Sequence, residues 1–245
     1  MPESLSWICV FPPSALVARP RPESSVILRL SLFAVLPVLL VPLCVQSASP
    51  VRLARLHYDG GGDWYANPTS LPNLARELTS RLGMEVEVEE GKVRPEDDDL
   101  FQYPILHMTG HGNVRFSPRD VDRLRWHLTH GGFLFADDNY GMDASFRREI
   151  RKVLPESELV ELPLDHPIYH AVYDMDHGLP KIHEHDGGPP HGYGMFHEGR
   201  LVVFYSFNTD IGDGLEDAEV HGDPPDRREQ AMRMAINVIV HAMTH

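Results

Sequence analysis

The sequence predicts an α/β fold, a three-layer sandwich around a mostly parallel β-sheet. The first observation is that apolar, strand-like runs alternate with segments in which leucine recurs every four residues, as on one face of a helix. The second is the continuous apolar run over residues 132–136, which is typical of a central parallel strand covered on both faces. Strands and helices that alternate in this way build a parallel sheet between two helical layers.

The first half of the predicted fold contains three strands and one helix. Residues 51–56 form an apolar first strand, and the helix that follows it ends at Gly83. Residues 84–89 alternate between apolar and acidic side chains, a period of two that is typical of a half-buried strand near the sheet edge. The third strand is predicted over residues 103–109.

The second half begins with a helix whose start carries the clearest local signal. Ser117 is a helix-capping residue, Pro118 suits the first turn, and Asp120 supplies an acid at the third position. Gly131 ends this helix. The later predicted elements are a strand at 132–136, a short basic helix at 146–153, strands at 159–162 and 201–207, and a closing helix at 226–243.

Residues 1–47 are predicted to be a leader and residues 48–245 the folded domain. Arg29 precedes an apolar run over residues 30–45, and small residues follow it, which is the order of a secretory signal. Cleavage after Ser47 would leave an exported domain, periplasmic or extracellular. The run is shorter than the roughly 20 residues of a membrane span. If uncleaved, it would still anchor the chain, and it is the only membrane contact that we expect.

Residues 163–199 are predicted to be a functional insertion or a mobile lid, because the segment is irregular, rich in His, Gly and Pro, and too long for an ordinary connection. Three of its histidines are weak metal-ligand candidates, namely His183, His185 and His191. Imidazoles beside carboxylates suit a transition metal such as zinc. Their spacing matches no zinc motif, so a solvated histidine-rich loop is the alternative.

The composition excludes several classes of partner and cofactor. Lys and Arg number 22 against 36 Asp and Glu, and the formal charge of −14 disfavours nucleic acid and anionic membrane surfaces. Both cysteines, Cys9 and Cys44, lie in the leader, so the domain has neither a disulfide nor a thiol nucleophile. No glycine-rich dinucleotide motif or Walker lysine is present, so we expect no nucleotide cofactor.

Four polar loops follow predicted strands, and in a parallel sheet such loops share the carboxyl edge, where ligands bind. The candidate ligand-binding residues in these loops are Asp59, Asp63, Trp64, His111, Asp137, Asp138, Asn139 and Asp210. Each has a structural alternative. Carboxylates in such turns make local hydrogen bonds or cap helices, and an aromatic ring can simply cover the sheet edge.

Asp138 and His111 are also the candidate catalytic residues and further weak metal-ligand candidates. A histidine between two glycines can transfer a proton or hold a metal ion, although it can equally be a hydrogen-bonded turn residue. The adjacent carboxylates of Asp137 and Asp138 end an apolar strand, so they must be hydrated, hydrogen-bonded or bound to a positive group. A divalent metal is therefore a candidate cofactor.

Three blocks of the sequence resemble the bacterial domain of unknown function family 4159. They lie at residues 53–65, 103–112 and 131–138, and the resemblance covers residues 51–243. It implies a fold similar to class I glutamine amidotransferases, with a flavodoxin-like sheet, and it supplies no reaction. The turn at 137–141 looks like the place of the amidotransferase nucleophilic cysteine. Here that turn has no cysteine, so thiolate chemistry is absent.

These observations favour an exported, non-cysteine, amidotransferase-like module that binds a small polar ligand, a sugar or a cell-envelope protein at the carboxyl edge. The alternative is a metal-assisted hydrolase centred on Asp138 and His111, joined by a histidine from the long insertion. A purely structural interaction module is the third reading. Metal binding that depends on His111 would favour the hydrolase, and ligand binding without turnover would favour the first reading.

Overall fold

A computed structural model describes residues 49–185 and 187–245. The predicted leader lies outside the described residues. Within them, the chain has an α/β fold with a seven-stranded, mostly parallel sheet and six α-helices. None of the helices in this described part is long and apolar enough to cross a membrane.

The sheet has the strand order β2-β1-β3-β4-β7-β6-β5. Its strands are β1 Leu53–Leu56, β2 Gly91–Val93, β3 Ile105–His111, β4 Phe133–Tyr140, β5 Val160–Glu161, β6 His191–His197 and β7 Arg200–Phe207. The first five strands in the spatial order are parallel, whereas β6 and β5 are antiparallel to their neighbours. The carboxyl ends of β1, β3, β4 and β7 therefore share one edge, which we call the carboxyl edge.

The helices are α1 Ser70–Leu82, α2 Pro118–Thr129, α3 Asp143–Val153, α4 Ile211–Gly214, α5 Ala218–His221 and α6 Pro225–Thr244. Two helix ends match the sequence signals closely. The Ser117 hydroxyl accepts a hydrogen bond from the Asp120 amide at 3.1 Å, and the Asp120 carboxylate accepts one from the Ser117 amide at 2.8 Å. Gly83 ends α1 in the left-handed conformation, with φ 67°.

Alternate residues of the central strand β4 belong to two different hydrophobic clusters. Phe133 and Phe135 pack in the cluster that contains the buried faces of α1 and α6. Leu134 and Ala136 pack in the cluster that contains the buried faces of α2 and α3. Both sides of β4 are therefore covered by apolar side chains, which explains the continuous apolar run in its sequence.

The prediction of an edge strand at residues 84–89 is wrong. Only Val86 pairs there, in an isolated bridge with Val51, and the edge strand β2 follows later at Gly91–Val93. Val86 is buried between exposed glutamates, whereas Val88 of the same alternating run is exposed. The sheet pairing itself resumes beyond Glu90, whose carboxylate turns inward to the buried Arg55 at 2.8 Å.

The irregular segment predicted over residues 163–199 is shorter than expected. Its last part is the strand β6, which pairs with β7 along most of its length. Glycines and histidines in this strand conceal the usual signal, because strand propensity is low for glycine. The described residues of the remainder contain one 3-10 turn, Pro167–Tyr169, and pass over the carboxyl edge.

Candidate functional site

The polar residues predicted in loops after the third and fourth strands lie inside those strands. Pairing of β3 with β4 continues from Thr109 opposite Asp137 to His111 opposite Tyr140. The loop placement predicted for His111, Asp137, Asp138 and Asn139 is therefore corrected. These strands extend beyond their apolar runs because their polar side chains find hydrogen-bond partners at the sheet end.

Asp137 caps the short helix α4. Its carboxylate accepts hydrogen bonds from the Ser206 hydroxyl at 2.5 Å and from the amides of Gly212 at 2.6 Å and Ile211 at 3.3 Å. The side chain is fully buried, and burial raises its pKa to about 7 despite these hydrogen bonds. Asp137 has structural partners for both of its oxygens.

Asp138 points to the opposite face of β4, as alternation along a strand requires. Its Oδ1 accepts a hydrogen bond from the Met142 amide at 2.9 Å, at the start of α3, and its Oδ2 accepts one from the Tyr205 hydroxyl at 3.3 Å. Burial raises its pKa to about 6. Among the described residues, Asp138 and His111 make no direct hydrogen bond or ion pair, but the charge of His111 acts on Asp138 across the neighbouring strands.

Asn139 joins the third and fourth strands to the loop after the seventh. It accepts a hydrogen bond from the Thr109 hydroxyl at 2.8 Å and donates one to Asp213 Oδ1 at 3.0 Å. Both contacts are buried. Asn139 therefore orients the Asp213 carboxylate rather than facing solvent.

His111 and Asp63 form a fixed pair at the carboxyl edge. Asp63 Oδ1 accepts a hydrogen bond from the His111 amide, and its Oδ2 lies 3.0 Å from His111 Nδ1. When Nδ1 carries the proton and donates to the carboxylate, Nε2 is left as a free acceptor. The His111 side chain is 48% exposed, so this nitrogen can meet a ligand.

The loops after β1 and β3 are joined to each other by their backbones. The Gly62 amide donates to the Asn113 carbonyl at 3.0 Å, and the Asp63 amide donates to the His111 carbonyl at 3.2 Å. Gly110 has φ 137°, and a side chain there would collide with the Tyr58 hydroxyl and with Asp63. This close approach fixes the Asp63–His111 pair in position.

Asp59 and Trp64 have surface partners beside this pair. Asp59 forms an ion pair with Arg94 at 3.2 Å, and Arg94 also approaches the ring of His57. Trp64 stacks on His57 with ring centroids 3.8 Å apart. The Trp64 ring therefore packs against the protein itself.

A second group of polar side chains lies at the same edge, beyond the end of β7. We call it the histidine–aspartate cluster, and it consists of His183, His185, Asp210, Asp213, His221 and Asp223. Asp210 Oδ2 lies 2.7 Å from His185 Nε2 and 3.6 Å from His183 Nδ1. His183 also contacts Asp213 Oδ2 at 2.9 Å and Asp223 Oδ1 at 3.1 Å. His221 approaches Asp213 at 3.8 Å.

Asp210 is the unusual residue of the cluster. Its side chain is only 1% exposed, and neither oxygen accepts a well-formed hydrogen bond from the described residues, although His185 Nε2 lies 2.7 Å from Oδ2. Its backbone is left-handed, with φ 60° and ψ 48°, which is costly for a residue other than glycine. The pKa of Asp210 is raised to about 9, mainly by burial and to a smaller extent by the charges of Asp137 and Asp213. The positive charge of Lys181 partly offsets this rise.

The structure brings together two of the residues predicted as metal ligands, His183 and His185. They are joined by Asp210, which was predicted only as a ligand-binding residue. His191 in β6 instead contacts Glu161 at 2.8 Å. Asp213, His221 and Asp223 are not among the candidates that the sequence predicts, although Asp213 lies in the predicted polar loop that contains Asp210. The only available signals were the acid-rich glycine turn over residues 210–214 and the short His-Glu-His run at residue 183.

Comparison with known proteins identifies the family of the chain but assigns no reaction to it. The family model described as Domain of unknown function (DUF4159) matches residues 52–243. No curated protein matches the chain. Since the match spans most of the sequence and both polar groups at the carboxyl edge, the chain belongs to the DUF4159 family.

Proposed function

We propose that this domain is a non-cysteine, amidotransferase-like module that binds a small polar ligand at the carboxyl edge. The proposal includes a three-layer, flavodoxin-like fold. It is supported by the order β2-β1-β3-β4-β7, which matches the flavodoxin strand order. It is also supported by the two hydrophobic clusters that alternate residues of β4 enter.

The observation that carries the proposal is the position of the Asp63–His111 pair. In the sheet, β2 lies on one side of β1 and β3 lies on the other side. The strand order therefore reverses between β1 and β3, which makes this the topological switch point. Ligands of doubly wound sheets bind at this point, outside the carboxyl ends of the strands. Asp63 follows β1 and His111 ends β3, which places an oriented, half-exposed imidazole there.

The side chains around the pair favour a neutral polar ligand such as a sugar. Tyr140 pairs with His111 across the strands and is 49% exposed, and Tyr65 beside Asp63 is 63% exposed. Aromatic faces combined with a few fixed hydrogen-bonding groups are typical of sites for such ligands. The net charge of −14 disfavours polyanions. Export would place this site in the cell envelope, where the ligand or an envelope protein would be the partner.

Ligand-observed NMR with a panel of neutral sugars, including glucose and N-acetylglucosamine, tests this function. We expect at least one sugar to bind, and we expect His111→Ala and Tyr140→Ala to weaken that binding by about tenfold or more, or roughly 1.4 kcal/mol. His130→Ala, an exposed histidine stacked on Trp126 instead, is the matched control and should bind normally. Binding that survives His111→Ala would place the ligand elsewhere.

Metal-assisted hydrolysis is the second candidate function, and the histidine–aspartate cluster is the observation that favours it. We propose the group around Asp210 as its centre rather than Asp138, because Asp138 accepts a hydrogen bond at the start of α3 whereas Asp210 lies beside His185. An ion held there could lower the pKa of a bound water, as zinc does in hydrolases. Turnover of a nitrophenyl ester that is abolished by EDTA and restored by zinc would support this function.

A further inference from the structure

We propose that His183, His185 and Asp210 bind a divalent transition-metal ion. The inference goes beyond the polar-ligand function, because it uses different residues, and each can hold when the other fails. The three side chains come from the segment that passes over the carboxyl edge and from the turn that follows β7. The site therefore exists only in the folded chain.

The donor atoms are close enough for one ion. His183 Nδ1, His185 Nε2 and an Asp210 oxygen all lie within 4.8 Å of one another. Ligands at about 2.1 Å from a tetrahedral zinc ion are separated by about 3.4 Å. Small rotations of the His183 and His185 side chains, both partly exposed, can bring the donor atoms from their present separations to this distance without moving the backbone.

Asp210 supplies independent support for a cation. Its carboxylate is buried, with a side-chain exposure of 1%, and no described residue donates a well-formed hydrogen bond to it. A buried carboxylate without donors is expensive, since the energy of hydration is lost without replacement. A divalent ion would give this carboxylate the positive partner that the described hydrogen-bond donors do not supply.

Neighbouring side chains hold the donors in the orientation that coordination requires. Asp223 Oδ1 lies 3.1 Å from His183 Nε2, so a proton on Nε2 donates to this carboxylate. This leaves the lone pair of Nδ1 facing Asp213 Oδ2 at 2.9 Å and Asp210 Oδ2 at 3.6 Å, where a cation can bind. Carboxylates behind metal-bound histidines commonly act in this way. Asn139 donates a hydrogen bond to Asp213 Oδ1 and so holds the Asp213 carboxylate beside His183.

A second possible triad, formed by His183, Asp213 and His221, uses the same Nδ1. One nitrogen lone pair serves one ion, so the two triads compete. Asn139 donates to Asp213 Oδ1 rather than to the Oδ2 that faces His183, but the Asp213 carboxylate thereby has one donor, whereas neither Asp210 oxygen has any. The ion therefore belongs with Asp210.

The donor set defines the class of ion. Two imidazoles and one carboxylate suit zinc and ferrous iron, whereas calcium and magnesium prefer oxygen ligands. His183 and His185 are 25% and 33% exposed, so solvent reaches the outer side of the site. Three protein ligands with a position open to solvent are typical of catalytic rather than structural zinc.

Metal titration of the full chain, purified without a histidine tag and stripped with a chelator, tests the proposal. We expect one equivalent of zinc to bind with a Kd of about 1 µM or tighter. Loss of an orienting neighbour typically costs 10–100-fold in metal affinity, so loss of a direct ligand in Asp210→Asn or His185→Ala should cost at least about 100-fold. His191→Ala should bind normally.

The same titration distinguishes the competing explanations. Competition with ferrous iron, manganese and magnesium identifies the ion, and preference for magnesium would overturn the proposal. Loss of binding in His221→Ala but not in His185→Ala would overturn it in favour of the second triad. Full zinc affinity in both Asp210→Asn and His185→Ala would mean that the cluster is a network of charges and not a metal site.

Circular dichroism of the metal-free variants shows whether they fold. If Asp210→Asn does not fold, His185→Ala still tests the site, because the His185 side chain is 33% exposed and tolerates replacement. Sugar binding through His111 is measured separately, so neither result decides the other.

Discussion

Asp137 and Asp138 are neighbours in sequence but act on opposite faces of β4. Asp137 caps α4 beneath the histidine–aspartate cluster, and Asp138 caps α3 on the other face. The sequence shows two adjacent carboxylates after an apolar run, but it does not show where the strand ends. If the strand had ended at Ala136, both would have been free to face a ligand. Because pairing continues to Tyr140, alternation separates them.

A cap role for Asp138 predicts a loss of stability without a loss of binding. Asp138→Ala leaves the Met142 amide without its acceptor, so the free energy of unfolding should fall by about 1–2 kcal/mol. Asp138→Asn retains an acceptor oxygen and should be closer to the wild type. Urea denaturation measures both. Zinc affinity should be the same in both variants, and a weaker affinity in Asp138→Asn would return this residue to the site.

His107 gives the fold a defined sensitivity to acid. It is buried between β1 and β4, neither ring nitrogen has a well-formed hydrogen bond, and burial, with a smaller effect of Arg55, lowers its pKa to about 3. Between pH 6.5 and 3 the unfolded chain binds a proton that the folded chain excludes, so stability falls as the pH falls.

The contribution of His107 in that range is about 1.4 kcal/mol per pH unit. His107→Leu removes the titrating group, so its melting temperature should fall less steeply than that of the wild type between pH 6.5 and 4. Thermal melts in matched buffers compare the two slopes. Parallel slopes would mean that other groups cause the acid sensitivity.

At the scale of single elements, the four long helices are predicted from local signals, whereas the short helices α4 and α5 are not predicted. The Ser117–Asp120 capping pattern lies within four residues, and the structure confirms it. Strand limits depend on distant partners. β2 forms at Gly91 rather than at residue 84 because it pairs with β1, and β6 forms in a glycine-rich stretch because β7 supplies its hydrogen bonds.

The capping box of α2 predicts a measurable contribution to stability. Ser117→Ala removes the acceptor for the Asp120 amide and should lower the free energy of unfolding by about 1 kcal/mol. Ser117→Thr keeps the hydroxyl and should retain most of the stability. Chemical denaturation of the two variants gives the comparison. Equal losses in both would show that the hydroxyl does not carry the effect.

At the scale of the whole molecule, the alternation of strands and helices predicts an α/β fold with a mostly parallel sheet and a polar carboxyl edge, but it does not predict β6. It also predicts polar loops after β1 and β3, and Asp63 and His111 come into contact because these two strands are neighbours. The histidine–aspartate cluster cannot be predicted from this alternation, because it forms only when the segment before β6 passes over the turn after β7. The separation of His183 from Asp210 in sequence hides a contact that only the folded chain forms.

The most direct test of the account is an anomalous difference map at the zinc absorption edge, from crystals of the zinc-loaded full chain. We expect one strong peak at about 2.0–2.2 Å from His183 Nδ1, His185 Nε2 and an oxygen of Asp210. A peak at the second triad, a peak elsewhere on the surface, or no peak in crystals that contain zinc would contradict the account.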